Sequence, residues 1–299
     1  DEVFKETMHI IKTLDYARYT PLLFLKDNKK FSTMLVAQHN MSGFMKSILV
    51  KRLESSFYAF KMTLQRFISS YQQFIDMLRT GDVYISKKIN VYDLLDNGDD
   101  EKLMKLVDAD KVQHFKADEF NDLFLPSLER DLQMLKRLQQ HWLTINIDPK
   151  MGEFKKQLQS NEILADKKII IFTESKETAS YVGDEIKKIY GDRAVVFSGD
   201  SSNYLKYNIE LSFNPKYIDQ NDDKYDILIT TDVLAEGINL HRSNVLINYD
   251  LPWNPTKIMQ RVGRINRVGT VFDRIYVFNF FPTSQTSAQL PLKDRIIEK

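Results

Sequence analysis

Lys167-Lys168-Ile169-Ile170-Ile171-Phe172-Thr173-Glu174-Ser175-Lys176 is the stretch whose reading decides the fold. Its four central residues are apolar without alternation, as in a strand covered on both faces. A helical pattern follows over 178–190, a second apolar run over 194–197, and a helix over 205–213. Further β-rich runs occupy 226–230, 244–249 and 274–280. Short apolar strands separated by helices predict an α/β unit with a parallel sheet. Such sheets bind ligands beyond the carboxyl ends of their strands. Attention therefore falls on Thr173 to Lys176, Ser198-Gly199-Asp200, Thr231-Asp232 and Asp250-Leu251-Pro252.

Upstream the grammar changes to helices. Phe57, Phe60, Leu64, Phe67, Tyr71, Phe74 and Leu78 recur at alternating spacings of 3 and 4. That is a heptad seam, and it predicts one helix over 42–80, roughly 58 Å long at 1.5 Å per residue. A second helix over 119–143 places Leu128, Leu132, Leu135 and Trp142 on one face. The two are expected to pack as an antiparallel pair. The stretch between them reads as irregular, with 97–101 (Asn-Gly-Asp-Asp-Glu) as a solvated acidic turn.

Composition narrows the function classes. The chain has 299 residues and a net charge of +1, which excludes a basic arm or an acidic tail. It has no cysteine, so disulfides, thiol nucleophiles and Cys-type zinc sites are excluded. That fits the cytoplasm. No apolar run approaches the ~18 residues of a membrane helix. The opening Asp1-Glu2-Val3-Phe4 lacks an initiator Met and a signal-peptide pattern, and predicts a processed chain or a fragment. The five histidines show no metal-ligand spacing.

The sharpest chemical feature is Gln260-Arg261-Val262-Gly263-Arg264-Ile265-Asn266-Arg267. Lysines outnumber arginines 29 to 13, yet three arginines fall in these last seven residues. Guanidinium is favoured over ammonium where planar, multidentate contact with phosphate oxygens is needed. On a helix Arg264 and Arg267 share a face, with Gln260 one turn earlier. Such a face could neutralise a transferring phosphoryl group, or could be an ordinary solvated helix. The second feature is 230–240. Thr231 ends a strand and can offer its hydroxyl and N–H to a phosphate. Gly237 permits close backbone approach, and Asn239 can hydrogen-bond a ribose hydroxyl. Alone, this stretch is equally a capped strand end.

In combination and in order, these motifs resemble the C-terminal RecA-like lobe of superfamily 2 helicases. Ile170-Ile171-Phe172-Thr173 is similar to the family's motif IV, Thr231 through Asn239 to motif V, and Gln260 to Arg267 to motif VI. The segment Ile247-Asn248-Tyr249-Asp250-Leu251-Pro252-Trp253-Asn254-Pro255, with Gly-Ile-Asn-Leu at 237–240, resembles the SWI/SNF-like branch and its bacterial RNA-polymerase-associated relatives. Lys51-Arg52-Leu53-Glu54-Ser55-Ser56 resembles the segment that joins the two lobes in that branch. The resemblance implies a helical tail or linker over 1–41, a helical protrusion over 42–160 and the RecA-like domain over 161–299. It implies ATP with Mg2+, bound mainly by a preceding N-terminal lobe. Arg264 and Arg267 would act as arginine fingers with Gln260 nearby, and Gly237 and Asn239 would line the nucleotide. Thr173, Ser175, Lys176 and Thr231 would contact a nucleic-acid backbone, with double-stranded DNA the expected partner.

The chain departs from the family pattern in three ways. It contains no Gly-x-x-x-x-Gly-Lys-Ser/Thr phosphate loop and no Asp-Glu-x-His/Asp box, so the fragment alone is expected not to hydrolyse ATP. Thr270 follows Val268-Gly269 where the SWI/SNF branch has Gln. Asp232-Val233-Leu234-Ala235-Glu236 is closer to the DEAD-box style, which keeps an RNA helicase lobe open as an alternative. Two others are the motor of a restriction or phage-defence system and a non-catalytic helical module that docks a partner protein.

Overall fold

A computed structural model describes residues 2–29, 32–86, 112–220, 223–232, 238–266, 270 and 272–281. The chain divides into two compact units, Asp1–Leu53 with Phe60–Asn146, and Glu54–Ala59 with Ile147–Lys299. Among the described residues no helix is long and apolar enough to cross a membrane.

The first unit is mostly helical. It contains α1 (Glu2–Thr13), most of α2 (Ser32–Ser55) and α3 (Phe57–Thr80), and α4 (Phe124–Leu143). Phe60, Leu64, Phe67, Tyr71, Phe74 and Leu78 of the heptad seam are buried, as are Leu128, Leu132, Leu135 and Trp142 of α4. Phe60 meets Trp142 edge-on at 4.9 Å, and Phe74 meets Phe124 at 5.9 Å. Early residues of α3 therefore face late residues of α4, which is the antiparallel pair. One carboxylate is enclosed between these helices. Asp131 accepts hydrogen bonds from the Asp15 and Ala17 amides at 2.9 and 3.0 Å and from the Tyr71 hydroxyl at 2.9 Å. Burial pushes its pKa up, and these three donors work against that rise.

Two expectations for this half need correction. The stretch after α3 is not wholly irregular, because β1 (Asp82–Ser86) and β2 (Val112–Lys116) pair antiparallel, Asp82 opposite Lys116 and Ser86 opposite Val112. The acidic turn at 97–101 lies outside the described residues. Nor is 42–80 one helix. It breaks at Ser56, whose Oγ accepts the Ala59 N–H at 3.0 Å and so caps α3. Asp148 Oδ2 accepts the Phe57 N–H at 3.3 Å. Lys150 Nζ donates to the Glu54 and Ser55 carbonyls at 2.9 and 3.0 Å, closing the end of α2. The heptad seam lies wholly beyond this break, because its first residue, Phe57, opens the new helix.

The second unit is a five-stranded parallel sheet in the order β4-β5-β3-β6-β7. Its strands are β3 (Ile169–Phe172), β4 (Ala194–Phe197), β5 (Ile227–Thr230), β6 (Val245–Asn248) and β7 (Tyr276–Asn279). Ile169 pairs with Ile227 on one side and Val245 on the other. Helices α5 (Pro149–Ser160) and α6 (Lys176–Tyr190) cover one face, where Met151, Phe154, Leu158, Val182 and Ile186 pack on Ile169, Ile171, Ile229 and Ile247. On the other face Ile209 and Phe213 of α7 (Asn203–Phe213) pack on Ile170, Phe172 and Leu228. Both faces are buried, which is why the strands read as unbroken apolar runs. Residues 147–160, grouped by their helical pattern with the first half, join this unit because Met151, Phe154 and Leu158 belong to its core.

One contact in this layer has no slack. A Cβ placed on Gly183 of α6 would lie 2.0 Å from Val196 Cγ2 on β4. Gly183→Ala gains helix propensity of ~1 kcal/mol, but overpacking against a stiff β-branched neighbour costs about 1–3 kcal/mol. We expect the variant to melt lower than the wild type by thermal denaturation. Val196→Ala in the same chain should recover part of the loss; an unchanged melting temperature in Gly183→Ala would refute the tight packing.

Candidate functional site

The loops leaving β3, β5 and β6 meet at the carboxyl edge of the sheet, and a buried arginine joins them. Arg261 lies on α8 (Pro255–Val262) and is fully buried. Its Nε and Nη2 donate to Asp232 Oδ1 and Oδ2 at 2.6 and 3.1 Å. Nη2 also reaches Glu174 Oε1 at 2.9 Å, and Nη1 reaches Asn248 Oδ1 and the Asp250 carbonyl at 2.9 and 3.0 Å. The guanidinium carbon stands 5.0 Å from the centre of the Phe172 ring. Burial works against the charge on Asp232, but Arg261 and Lys257 outweigh it and hold this carboxyl below its ordinary range. Burial likewise opposes the Arg261 charge, and Asp232, Glu174 and Asp250 more than offset it.

A second polar cluster adjoins the first. Asp250 is buried at the end of β6. Its Oδ2 accepts from Ser55 Oγ at 2.6 Å and from the Glu174 N–H at 3.0 Å, and its Oδ1 accepts from Lys150 Nζ at 2.8 Å. Ser55 Oγ and Ser56 Oγ lie 2.5 and 3.0 Å from Thr178 Oγ1. Lys150 Nζ also sits 4.2 Å from the centre of the Tyr249 ring.

The residues singled out in the sequence divide into three groups. Asn239 and Arg264 are brought together through their backbones. Arg264 is half-buried, and its carbonyl accepts the Leu240 N–H at 3.3 Å. Ile238 and Leu240 on one side, and Ile265 on the other, are anchored in the same core. Helix α8 ends at Val262, so Arg264 lies in the turn beyond it rather than on a helical face. Gln260 is exposed on the last turn of α8. Gly237 and Arg267 lie outside the described residues.

Thr173 and Ser175 are fully buried. Thr173 Oγ1 donates to the Ser175 carbonyl at 3.0 Å, while Ser175 Oγ accepts the Thr178 N–H at 3.1 Å and caps α6. Both hydroxyls are engaged inside the lobe, where they shape the loop. Thr231 is buried, with its carbonyl accepting from Thr230 Oγ1 at 3.0 Å. Lys176 is exposed and pairs with Asp200, joining the loops after β3 and β4. Among the described residues no group of three or more His, Asp or Glu is placed to hold a metal ion.

Sequence reasoning passed over Lys150 and Thr178, gave Arg261 no role of its own within its motif, and marked Asp250 only as a residue after a strand end. For Arg261 a signal existed. It stands three residues after Ile258 and four before Ile265, on the apolar face of its helix. Removing it takes from the half-buried Asp232 and Glu174 their shared buried partner, leaving Lys257 3.3 Å from Asp232, a change that costs up to about 3–5 kcal/mol. We therefore expect Arg261→Met to lower stability strongly in urea denaturation at neutral pH. A carboxyl held below its ordinary range stabilises above the unfolded carboxylate pKa, and that contribution is lost as pH falls through the folded value. The gap between wild type and Arg261→Met should thus narrow on acidification below about pH 4. A gap that stays constant with pH would assign the effect to packing alone.

Comparison with known proteins bears on the same region. The helicase conserved C-terminal domain family matches residues 150–269. The uncharacterized ATP-dependent helicase YqhH of Bacillus subtilis is 38% identical over 114 residues, covering 38% of this chain and 19% of that protein. The RNA polymerase-associated protein RapA of Photobacterium profundum is 30% identical over 141 residues, covering 47% and 14%. The matched regions thus span under a fifth of either relative. Among solved structures, the C-terminal part of the Fun30 ATPase domain aligns with a TM-score of 0.39 and 19% identity, over 47% of this chain and 44% of that one.

Proposed function

We propose that residues 150–269, which match the helicase conserved C-terminal domain family, are a RecA-like lobe of a superfamily 2 helicase, and that the chain is the C-terminal part of an ATP-dependent motor on nucleic acid. The SWI/SNF-like branch, acting on double-stranded DNA in the cytoplasm, is the reading that the motif-bearing segments and the relatives support best. The observation that carries the catalytic part is the Leu240–Arg264 backbone hydrogen bond of 3.3 Å. It holds the turn of Arg264 against the segment of Asn239, while Arg261 fixes the helix in front of it. A guanidinium presented from a held turn needs little reorganisation to meet developing charge, which is the condition for electrostatic stabilisation of a phosphoryl transfer.

The donor set fits one side of a nucleotide. Arg264 and Arg267 would face the terminal phosphate, with Gln260 nearby, and Gly237 and Asn239 would line the nucleotide. ATP would supply the phosphoanhydride to be cleaved. The chain has no phosphate loop and no acidic box, so the β-phosphate cradle and the Mg2+ ligands would come from a first lobe. Lys176 would contact a strand by its side chain and Thr231 through its loop, without reading bases. Lobe closure would then couple hydrolysis to a step along the strand.

The test is ATP turnover by the parent protein with duplex DNA, single-stranded DNA and RNA, beside Arg264→Ala and Arg267→Ala. Duplex DNA should stimulate turnover, and each variant should lose about 10³-fold or more while keeping the wild-type melting temperature. Turnover indifferent to both changes would remove the finger role. Stimulation by RNA alone would assign a DEAD-box-like lobe.

A further inference from the structure

Helix α7 carries an aromatic surface that neither the sheet nor the sites above use. Its inner face is committed, with Ile209 and Phe213 in the core. Its outer face presents Tyr204 and Tyr207, 71% and 49% exposed. Three residues apart, they are neighbours on one helical face. Tyr217, just past the helix, meets the Tyr207 ring edge-on at 6.4 Å, so the rings form one continuous patch. Single exposed tyrosines are ordinary, but a contiguous group marks a contact surface.

The surroundings say which contact. Lys206 lies between the first two tyrosines in sequence, and Lys216 is exposed with its Nζ 5.5 Å from the centre of the Tyr217 ring. Glu210 stands on the same helix three residues after Tyr207, and Asp200 is paired with Lys176. Lys216 thus sets one cation against the rings. It also begins at the carboxyl edge of the sheet. Ser202 caps α7, accepting the Leu205 N–H at 3.2 Å, directly after the loop from β4 that the Lys176–Asp200 pair joins to the loop from β3. Flat rings with a cation beside them, next to loops proposed to meet a phosphate backbone, match the composition of sites for unpaired nucleic acid.

We propose that Tyr204, Tyr207 and Tyr217 form a base-stacking platform that takes an unpaired strand, with Lys206 and Lys216 tethering its phosphates. This rests on the motor reading and deepens it, because it adds a contact with bases where a duplex is open. Paired bases are stacked on one another and offer the rings no free face.

Fluorescence anisotropy on this chain at low salt tests it, with a thymidine strand, an abasic strand of the same length, and a duplex. The thymidine strand should bind at least about fivefold tighter than the abasic one, from one stacked base. Tyr204→Ala with Tyr207→Ala should erase that preference, and Tyr204→Phe with Tyr207→Phe should keep it. Lys216→Ala should weaken both strands equally and lower the salt slope by about one. Equal binding of the two strands by the wild type, or an undiminished preference in the double alanine variant, would overturn the platform and leave the tyrosines to a protein contact. In that case duplex binding that is weakened by Lys176→Ala would still uphold the motor reading. Absence of binding to any of the three would count against both.

Discussion

A guanidinium withdrawn from water is costly unless every face finds a partner. Arg261 meets that condition with two carboxylates, a side-chain amide, a main-chain carbonyl and an aromatic ring. The partners come from three strand ends. Phe172 and Glu174 close β3, Asp232 follows β5, and Asn248 and Asp250 close β6. A parallel sheet sets its strands by main-chain pairing but leaves the loops beyond them undetermined. One planar cation with a fixed fork of donors sets three of those loops at once, which a flexible lysine would not do. The turn that presents Arg264 inherits its position from this arrangement.

The α/β half was legible because burial on both faces writes itself into sequence as unbroken apolar runs. Ile169–Phe172, Ala194–Phe197, Ile227–Thr230 and Val245–Asn248 all fall inside the runs read from residues alone. Helical pairing in the first unit was legible for a similar reason, since the seam of α3 repeats long enough to show its period. What did not show was the break at Ser56. A heptad reports which face is buried, not whether the chain is continuous, and a serine inside a helix looks like a serine that caps one. The partners that make it a cap, Asp148 and Lys150, lie more than 90 residues away. The β1–β2 pair was missed because 25 residues separate its strands, so no short turn signal marks it.

The candidate site shows the same division. Arg264 and Asn239 were singled out through their motifs, and the structure joins the N–H of Leu240, next to Asn239, to the Arg264 carbonyl. Thr173 and Ser175, hydroxyl residues after a strand end, were taken as phosphate contacts from the resemblance. A hydroxyl in that position suits a helix cap equally well, and sequence carries no mark that separates the two uses. Arg261 was overlooked for the opposite reason. Arginine is expected at surfaces, and Arg261 was counted only as one of the three arginines of its motif.

The two polar clusters are one network. Ser55 donates to Asp250, Asp250 accepts from the Glu174 amide, the Glu174 carboxylate accepts from Arg261, and Arg261 holds Asp232. The segment 54–56, which the chain uses to pass between its two units, is thus wired to the loop of motif V through groups that are buried and mutually satisfied. Such networks behave as units, so changes within them are not additive. A substitution at Ser55 and one at Arg261 act on the same set of hydrogen bonds, although 205 residues lie between them in sequence. This gives a physical reason why a crossing segment with no chemistry of its own should carry small polar residues. Alanine there would leave Asp250 short of a donor, and the deficit would fall on the loops that the proposed site depends on.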